Sequence, residues 1–262
     1  MQNKVPNKII LQIQSLFQKY YGPNENYSSL LNQLLSVEGI GPYLQKISKF
    51  KKNKMDAAIA EMRFASLFSL CGFKVTLIHE SNKKGDTNPD LKIMKNSIKG
   101  LVEVKHIASK DFNKKLVTSD IKTDDEFLEE YGDFKKSYQS IWDIVVDKLD
   151  QLQKYSQNKK CNTFVVAIWN SVDEIEELEA QFSAPSIASH IAELNRYTTD
   201  ILLIYGSNTP DQHYKYFHAI PLYRKSNVIN SEVIHEIKRI SCDEIFGIHR
   251  YSVHELVKSK NI

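Results

Sequence analysis

The sequence contains no apolar run approaching the roughly 18 residues that a membrane-spanning helix needs. Its N-terminus also lacks the apolar stretch that marks a secretory signal peptide. Both absences argue against a transmembrane or exported protein. We therefore expect a cytoplasmic protein that has no membrane partner.

Cysteine is scarce, and the three cysteines, Cys71, Cys161 and Cys242, stand far apart in the sequence. None of them belongs to a CxxC pair, and the eight histidines are scattered as well. An odd and sparse set of this kind favours reduced thiols over a disulfide framework or a structural zinc site.

A large excess of positive charge is missing too, since the formal net charge is only +3. Composition alone therefore does not identify a nucleic-acid-binding protein. The lysines are nevertheless clustered, in one group before a long apolar helix and in a second group around a possible catalytic segment. The two groups are Lys46, Lys49, Lys51, Lys52 and Lys54, and Lys83, Lys84, Lys110, Lys114 and Lys115. Such clusters suit a phosphate backbone; a solvated lysine surface is the alternative.

Residues 1–50 carry apolar stripes at helical spacing and are predicted to form a helical N-terminal segment. Within it, Val37-Glu38-Gly39-Ile40-Gly41-Pro42 resembles the hairpin of helix-hairpin-helix DNA-binding motifs, in which glycine amides approach a phosphate. Gln45 stands where that motif has a small residue. A simple turn between two helices is therefore the favoured interpretation.

The rest of the chain alternates between helical and strand patterns, which predicts an α/β fold. The apolar residues of the segment 55–71 cover nearly every direction around a helix, so we expect a buried helix there. Further helices are predicted at 136–155, 186–196, 231–240 and 253–258, and strands at 74–80, 90–94, 101–106, 163–169, 201–205 and 216–223.

Two acidic residues are expected to face each other across a hairpin. A tight turn centred on Asn96-Ser97 makes Asp90 the cross-strand neighbour of Glu103. Directly opposed residues have Cβ atoms roughly 4.5–5.5 Å apart, so two carboxylates placed in this way repel each other unless a cation lies between them. Oxygen ligands of this type suit Mg²⁺.

Strand alternation adds a lysine to this pair. Glu103 and Lys105 point to one face of their strand, while Val102 and Val104 point to the other face and can pack in the core. An ammonium group beside a metal-bound water can orient that water or stabilise charge on a phosphoryl group. Two acids, one lysine and one divalent ion suit phosphodiester hydrolysis. A hairpin held by structural salt bridges is the alternative.

Glu61 is a further candidate ligand, because it stands in the apolar helix between Ala58 and Ala65. Burying a carboxylate without a partner costs several kcal/mol by order of magnitude, so we expect a cation nearby. A metal shared with Asp90 would meet this need. The alternative is that Glu61 pairs with a basic residue or reaches solvent at the end of the helix.

These residues resemble the motifs of the PD-(D/E)XK nuclease superfamily, whose fold is called restriction-endonuclease-like. The Pro-Asp of that family is similar to Pro89-Asp90, its Glu-x-Lys to Glu103-Val104-Lys105, and the acidic residue of its first helix to Glu61. The resemblance covers about residues 55–170. The predicted order of helix, three strands, helix and strand also resembles the core of the family.

The resemblance implies a mixed sheet flanked by helices, with helical N- and C-terminal additions. Residues 51–170 would then form the nuclease core with an insertion at 107–135. Residues 171–262 would form an extension that completes the sheet and serves target recognition or dimerisation. Because the chain offers one catalytic set, cutting both strands of a duplex implies a homodimer; a monomer that nicks or trims is the alternative.

The resemblance also implies a Mg²⁺-dependent DNA endonuclease of the restriction type, for which Mn²⁺ can substitute. Asp90, Glu103 and Glu61 would hold the metal and Lys105 would act at the attacking water. The remaining candidates are implied nucleic-acid contacts: Gln151 and Tyr155, which stand at the Gln-xxx-Tyr spacing of helicase-associated exonucleases, with Lys83 and Lys84. The alternatives are a repair or recombination nuclease, such as an exonuclease or resolvase, and a non-catalytic nucleic-acid-binding protein.

Overall fold

A computed structural model of the chain describes residues 5–22, 25–78, 88–107, 142–157, 160–170, 190–208, 215–223, 225 and 234. Lys83, Lys84, Cys242 and the helices predicted at 231–240 and 253–258 lie outside these residues, as does almost all of the insertion predicted at 107–135. Cys71 and Cys161 are free thiols. No helix in the described ranges has the length and apolar content to cross a membrane.

The described residues form an α/β fold around one open, mixed sheet of six strands, whose spatial order follows the sequence. The pairs β1–β2, β2–β3 and β5–β6 are antiparallel, and the pairs β3–β4 and β4–β5 are parallel. The strands are β1 (Lys74–Leu77), β2 (Leu91–Lys95), β3 (Ile98–Ile107), β4 (Thr163–Asn170), β5 (Asp200–Asn208) and β6 (Lys215–Tyr223).

Four helices precede the sheet and share a hydrophobic core with one of its faces. They are α1 (Asn7–Tyr21), α2 (Glu25–Leu34), α3 (Ile40–Ile47) and α4 (Lys52–Leu70). The longest, α4, is apolar on nearly all sides and lies between the other helices and the sheet residues Leu91, Val102 and Val165. The prediction of a buried helix here is confirmed, although the helix begins and ends earlier than residues 55–71.

The opposite face of the sheet is covered by α5, whose described part spans residues 142–156. Its buried residues Val145, Leu149 and Leu152 recur at helical spacing and pack against Leu101 and Phe164 of the sheet. A short helix, α6 (Ile191–Leu194), belongs to the same core. This is the described part of the helix predicted at 186–196, and it is far shorter than the prediction.

The predicted hairpin register is confirmed. Leu91 pairs with Val102, and the ladder continues without a shift to Lys95 and Ile98. Asn96 in the turn has a φ of 51°, in the left-handed region that asparagine tolerates better than most residues. β3 is longer than the strand predicted at 101–106, because its first residues complete this hairpin and its last residues pair with β4.

The glycine-containing segment before α3 is a turn that contacts the edge of the sheet. Leu77 donates its backbone N–H to the carbonyl of Glu38 over 2.9 Å, and the Thr76 hydroxyl donates to the Glu38 carboxylate over 3.0 Å. Gly39 has a φ of 84°, and a Cβ at this position would collide with the backbone carbonyl of Leu77. Close packing against β1 therefore accounts for Gly39 without any phosphate.

We expect Gly39→Ala to lower the free energy of unfolding by at least about 1–2 kcal/mol, because alanine in the left-handed region is strained and its Cβ meets a backbone oxygen. Gly41→Ala is the matched control, since a Cβ at Gly41 meets only a Val5 methyl group at 3.9 Å. Urea unfolding of both variants measures the difference. Equal stability of the two variants would contradict this explanation of Gly39.

Candidate active site

The site begins where β2 and β3 stop pairing. Asp90 immediately precedes β2, and its backbone N–H donates to the Val102 carbonyl over 3.0 Å. Its own carbonyl accepts a 2.9 Å bond from the N–H of Ile78. The Asp90 carboxylate accepts a hydrogen bond from the N–H of Val104 over 2.7 Å. The side chain thus supplies the acceptor that a backbone carbonyl would supply if β2 continued. These three bonds fix the backbone and carboxylate of Asp90 against β3.

Glu103 follows Val102, the last residue of β3 that pairs with β2, and it is close enough to Asp90 for the charge of that carboxylate to act on it. Its side chain is only 6% exposed. Val102 and the partly buried Val104 pack on the opposite face, with α4. The alternation predicted for this strand is therefore present, and it directs Glu103 towards α5.

The environment of Glu103 opposes its ionisation. Burial raises the pKa of its carboxyl from the ordinary value of 4.5 to about 7, and the negative charges of Asp90 and, more weakly, Asp147 act in the same direction. Among the residues that the structure describes, the Lys148 ammonium is the group that lowers this pKa. A single lysine therefore does not compensate for burial and two neighbouring acids. A second positive charge would restore the ionised form.

A lysine that sequence reasoning missed contacts this carboxylate. The Lys148 ammonium, on α5, lies 3.1 Å from Glu103 Oε2, and its side chain is 19% exposed. It also donates to the side-chain oxygen of Gln151 over 3.0 Å. The Gln151 amide nitrogen in turn donates to Asp147 over 2.7 Å. These bonds join Glu103 to three residues of one helix.

The helical pattern contains a signal for Lys148. It stands three residues after Val145 and four before Leu152, and both of these residues are fully buried. A lysine at the border of an apolar stripe needs a carboxylate partner if its ammonium is to leave bulk water. The pattern alone does not say which acid this is, because the partner lies on β3, 45 residues away in the sequence.

Lys105 is on the same face of β3 as Glu103, two residues further along, and it is exposed. Two residues of strand span about 7 Å, so its ammonium can reach a substrate group that contacts Glu103. Lys105 lies beyond the end of the β2 ladder, on the part of β3 that pairs with β4.

Glu61 belongs to α4, which packs on the face of the sheet opposite to Glu103. It is half-buried. The described residues contain no group of three or more histidine, cysteine, aspartate or glutamate residues arranged to hold a metal. The structure thus brings Asp90 and Glu103 together but does not add Glu61 to them, and the role of Glu61 as a shared ligand stays a prediction.

Tyr155 lies one helical turn after Gln151 and lines a cavity of about 440 Å³ on the face of the sheet that carries Glu103. Gln151 and Tyr155 are therefore both near the acid pair, and Gln151 belongs to its hydrogen-bond network. Lys83 and Lys84 lie outside the described residues.

Comparisons with protein-family models, with curated proteins and with solved structures find no match for this chain.

Between pH 5 and pH 8, we expect the free energy of unfolding to fall less for Asp90→Asn than for the wild type. The folded-state pKa of Glu103 is raised to about 7. Its contribution to the stability of the folded state is therefore fully present below about pH 4.5 and is lost as the pH passes 7. Asparagine keeps an oxygen for the Val104 N–H but removes the charge that repels Glu103. Each unit by which the substitution lowers the pKa of Glu103 should raise the free energy of unfolding at pH 8 by about 1.4 kcal/mol.

The measurement is the free energy of unfolding at pH 5 and pH 8 in EDTA, for wild type and variant. Asp143→Asn is the matched control, since Asp143 is exposed on α5 and does not contribute to the raised pKa of Glu103. Parallel pH profiles for wild type and Asp90→Asn would show that the two carboxylates do not interact.

Proposed function

We propose that the chain is a metal-dependent nuclease of the PD-(D/E)XK kind that hydrolyses phosphodiester bonds in DNA. The observation that carries the proposal is the closeness of Asp90 and buried Glu103 at the end of a strand ladder, with Lys105 two residues after Glu103 on the same face of β3. The order of elements supports it: helix, antiparallel meander, helix, and a strand parallel to the third strand of the meander.

The charges of the site suit a divalent cation. Burial raises the pKa of Glu103, and the charges of Asp90 and, more weakly, Asp147 act in the same direction against the contact with Lys148. A divalent cation would offset both the burial and the repulsion between these carboxylates. Asp90 and Glu103 are the residues that would hold Mg²⁺, or Mn²⁺ in its place. When bound, such an ion lowers the pKa of a coordinated water and neutralises phosphoryl oxygens.

The protein side chains have separate tasks in the proposed hydrolysis. A water oxygen forms a bond to phosphorus while the bond from phosphorus to the leaving sugar oxygen breaks. The exposed Lys105 ammonium orients that water and stabilises the charge that builds on the phosphoryl oxygens. Lys148 donates to Glu103 Oε2 and keeps this carboxylate in one position. The bond from Val104 to Asp90 does the same for the other acid.

A restriction-type endonuclease is the first form of the proposal, and a repair or recombination nuclease is the second. The bond from Lys148 to Gln151 favours the second form, because it joins the glutamine of the Gln-xxx-Tyr spacing to the acid pair. A protein that only binds nucleic acid is the rival from another class. Clustered carboxylates would weaken such a protein, because they repel phosphates.

We expect Asp90→Asn and Glu103→Gln to abolish cleavage while the far-ultraviolet circular dichroism spectrum stays unchanged, since both substitutions remove a ligand charge but keep the side-chain shape. Supercoiled plasmid, linear duplex and single-stranded DNA, each with Mg²⁺ or EDTA, are the substrates. Asp143→Asn, which removes the same charge from an exposed site, is expected to cut at the wild-type rate.

The products separate the forms of the proposal. Discrete linear fragments without a nicked intermediate indicate an endonuclease that acts as a homodimer on duplex DNA, because one site cuts one strand. Progressive shortening from the ends indicates an exonuclease. Shifted but uncut DNA with every metal tested would support the binding protein, and wild-type cutting by Asp90→Asn would disprove the assignment of the site.

We expect Lys105→Ala to keep metal and DNA affinity but to cut at least about 100-fold more slowly, because its charge acts on the water and the phosphoryl group. Lys105→Arg should restore little activity, since a planar guanidinium does not replace a compact ammonium. Isothermal titration with Mg²⁺ and single-turnover cleavage separate the two effects. A loss of metal affinity equal to that of Asp90→Asn would show that Lys105 supports the metal site instead.

A further inference from the structure

A cavity of about 440 Å³ lies beside the acid pair on the same face of the sheet. Strand alternation relates the two directly. Leu101 precedes Glu103 by two residues on β3, and its cross-strand partner Lys92 lies one residue beyond the first residue of β2. Both line the cavity, and Leu101 lies about 7 Å from Glu103 along the strand. A ligand in the cavity therefore lies close to Asp90 and Glu103, one cross-strand residue pair away.

The lining of the cavity differs sharply in charge from the acid pair. Three exposed lysines, Lys92, Lys99 and Lys160, stand around it, and none of its described lining residues is acidic. Tyr155 provides an aromatic ring, and the exposed Met94 provides an apolar surface. Lysines at the border of such a cavity can bind a phosphate. An aromatic ring beside them can stack on a base.

Hydrogen bonds hold the walls of the cavity in place. Asn162 accepts the backbone N–H of Lys99 over 2.8 Å, and its own backbone N–H donates to the Lys99 carbonyl over 3.0 Å. Its side-chain amide also donates to the Ser97 carbonyl over 2.6 Å. The β2–β3 hairpin is therefore tied to the residues before β4, so the cavity does not need to be formed by its ligand.

The volume excludes a double helix. Ligand sites for small molecules span roughly 300–1,000 Å³, and about 440 Å³ suits a group the size of one nucleotide. Duplex DNA is far larger, since its major groove alone is about 12 Å wide. A nucleotide that enters the cavity must therefore be unpaired from the complementary DNA strand.

We propose that this cavity binds one unpaired nucleotide of the DNA strand being cut, next to the phosphate held at Asp90 and Glu103. Its base lies against Tyr155 and Met94, and its phosphates contact Lys92, Lys99 and Lys160. This inference rests on the proposed nuclease function and narrows its substrate to DNA that is single-stranded beside the cut, such as a frayed end, a flap or a free strand.

The first test measures binding alone. Fluorescence anisotropy in EDTA compares a labelled single-stranded oligonucleotide with a blunt, closed-ended duplex of the same sequence. We expect the single strand to bind at least about tenfold more tightly, because each stacked base adds affinity that a paired base cannot give. Equal or tighter binding of the blunt duplex overturns the proposal.

The second test uses the lysines. Lys92→Ala should lower the slope of the logarithm of affinity against the logarithm of salt concentration by about 0.7, the value for one lost phosphate contact on a single strand. Lys8→Ala is the matched control, because Lys8 is exposed on α1, on the other side of the sheet. Equal changes in the two variants would show that only general charge attracts the DNA, and would overturn the proposal.

The third test separates stacking from folding. Tyr155 packs partly against the core, so Tyr155→Leu keeps an apolar side chain there and Tyr155→Phe keeps the ring. We expect Tyr155→Phe to bind single strands as wild type does and Tyr155→Leu to bind at least about fivefold more weakly. Equal affinities, with both variants folded by circular dichroism, would rule out stacking on Tyr155.

Peptide-resolved alkylation of Cys161 tests the cavity without any substitution. Cys161 lines it and is partly exposed, whereas Cys71 is fully buried and serves as the internal control. The oligonucleotide should slow alkylation of Cys161 severalfold in EDTA. An unchanged rate at saturating DNA would place the nucleotide elsewhere.

The failure of this inference can be told from the failure of the proposed function. If the protein cuts DNA in Mg²⁺ but the Lys92, Tyr155 and Cys161 experiments show no effect, the nuclease stands and the nucleotide site is wrong. If these experiments succeed in EDTA but no metal supports cutting, the cavity binds DNA and the nuclease proposal fails.

Discussion

The arrangement of the site depends on one hydrogen bond, from the Val104 N–H to the Asp90 carboxylate. At this point β3 continues along β4, while β2 ends. A strand that loses its neighbour leaves a backbone donor that must find another acceptor. Asp90 supplies that acceptor with its side chain, so the requirement to satisfy one N–H also holds a carboxylate beside Glu103.

The pKa of Glu103 differs from that of an acid in a stabilising salt bridge. A salt bridge that stabilises the fold lowers the pKa of its acid, because the charged form is favoured. Burial and the charge of Asp90 together outweigh Lys148, and the pKa of Glu103 is raised to about 7. A protein that retains such a site gives up stability for it, which is more typical of functional sites than of structural salt bridges.

The parts of this structure that depend on local patterns could be predicted from the sequence. The hairpin register follows from a two-residue turn, and the shared face of Glu103 and Lys105 follows from strand alternation. The contact of Lys148 with Glu103 could not be predicted, because it depends on how α5 is placed over the sheet. Helical spacing gives the buried side of α4 but not the face of the sheet it covers. For the same reason, the role of Glu61 as a ligand shared with Asp90 stays a prediction.

The sign of the charge changes along the same two strands. Asp90 and Glu103 lie at the end of the ladder, and Lys92 pairs with Leu101, which is about 7 Å from Glu103 on the same face of β3. A phosphodiester chain carries a negative charge at every nucleotide, so the lysines attract it and the acid pair repels it. Binding by the lysines therefore needs no metal, whereas contact of a phosphate with the acid pair does. In the proposed function, the lysines thus hold the strand and the acid pair cuts it only after a cation has bound.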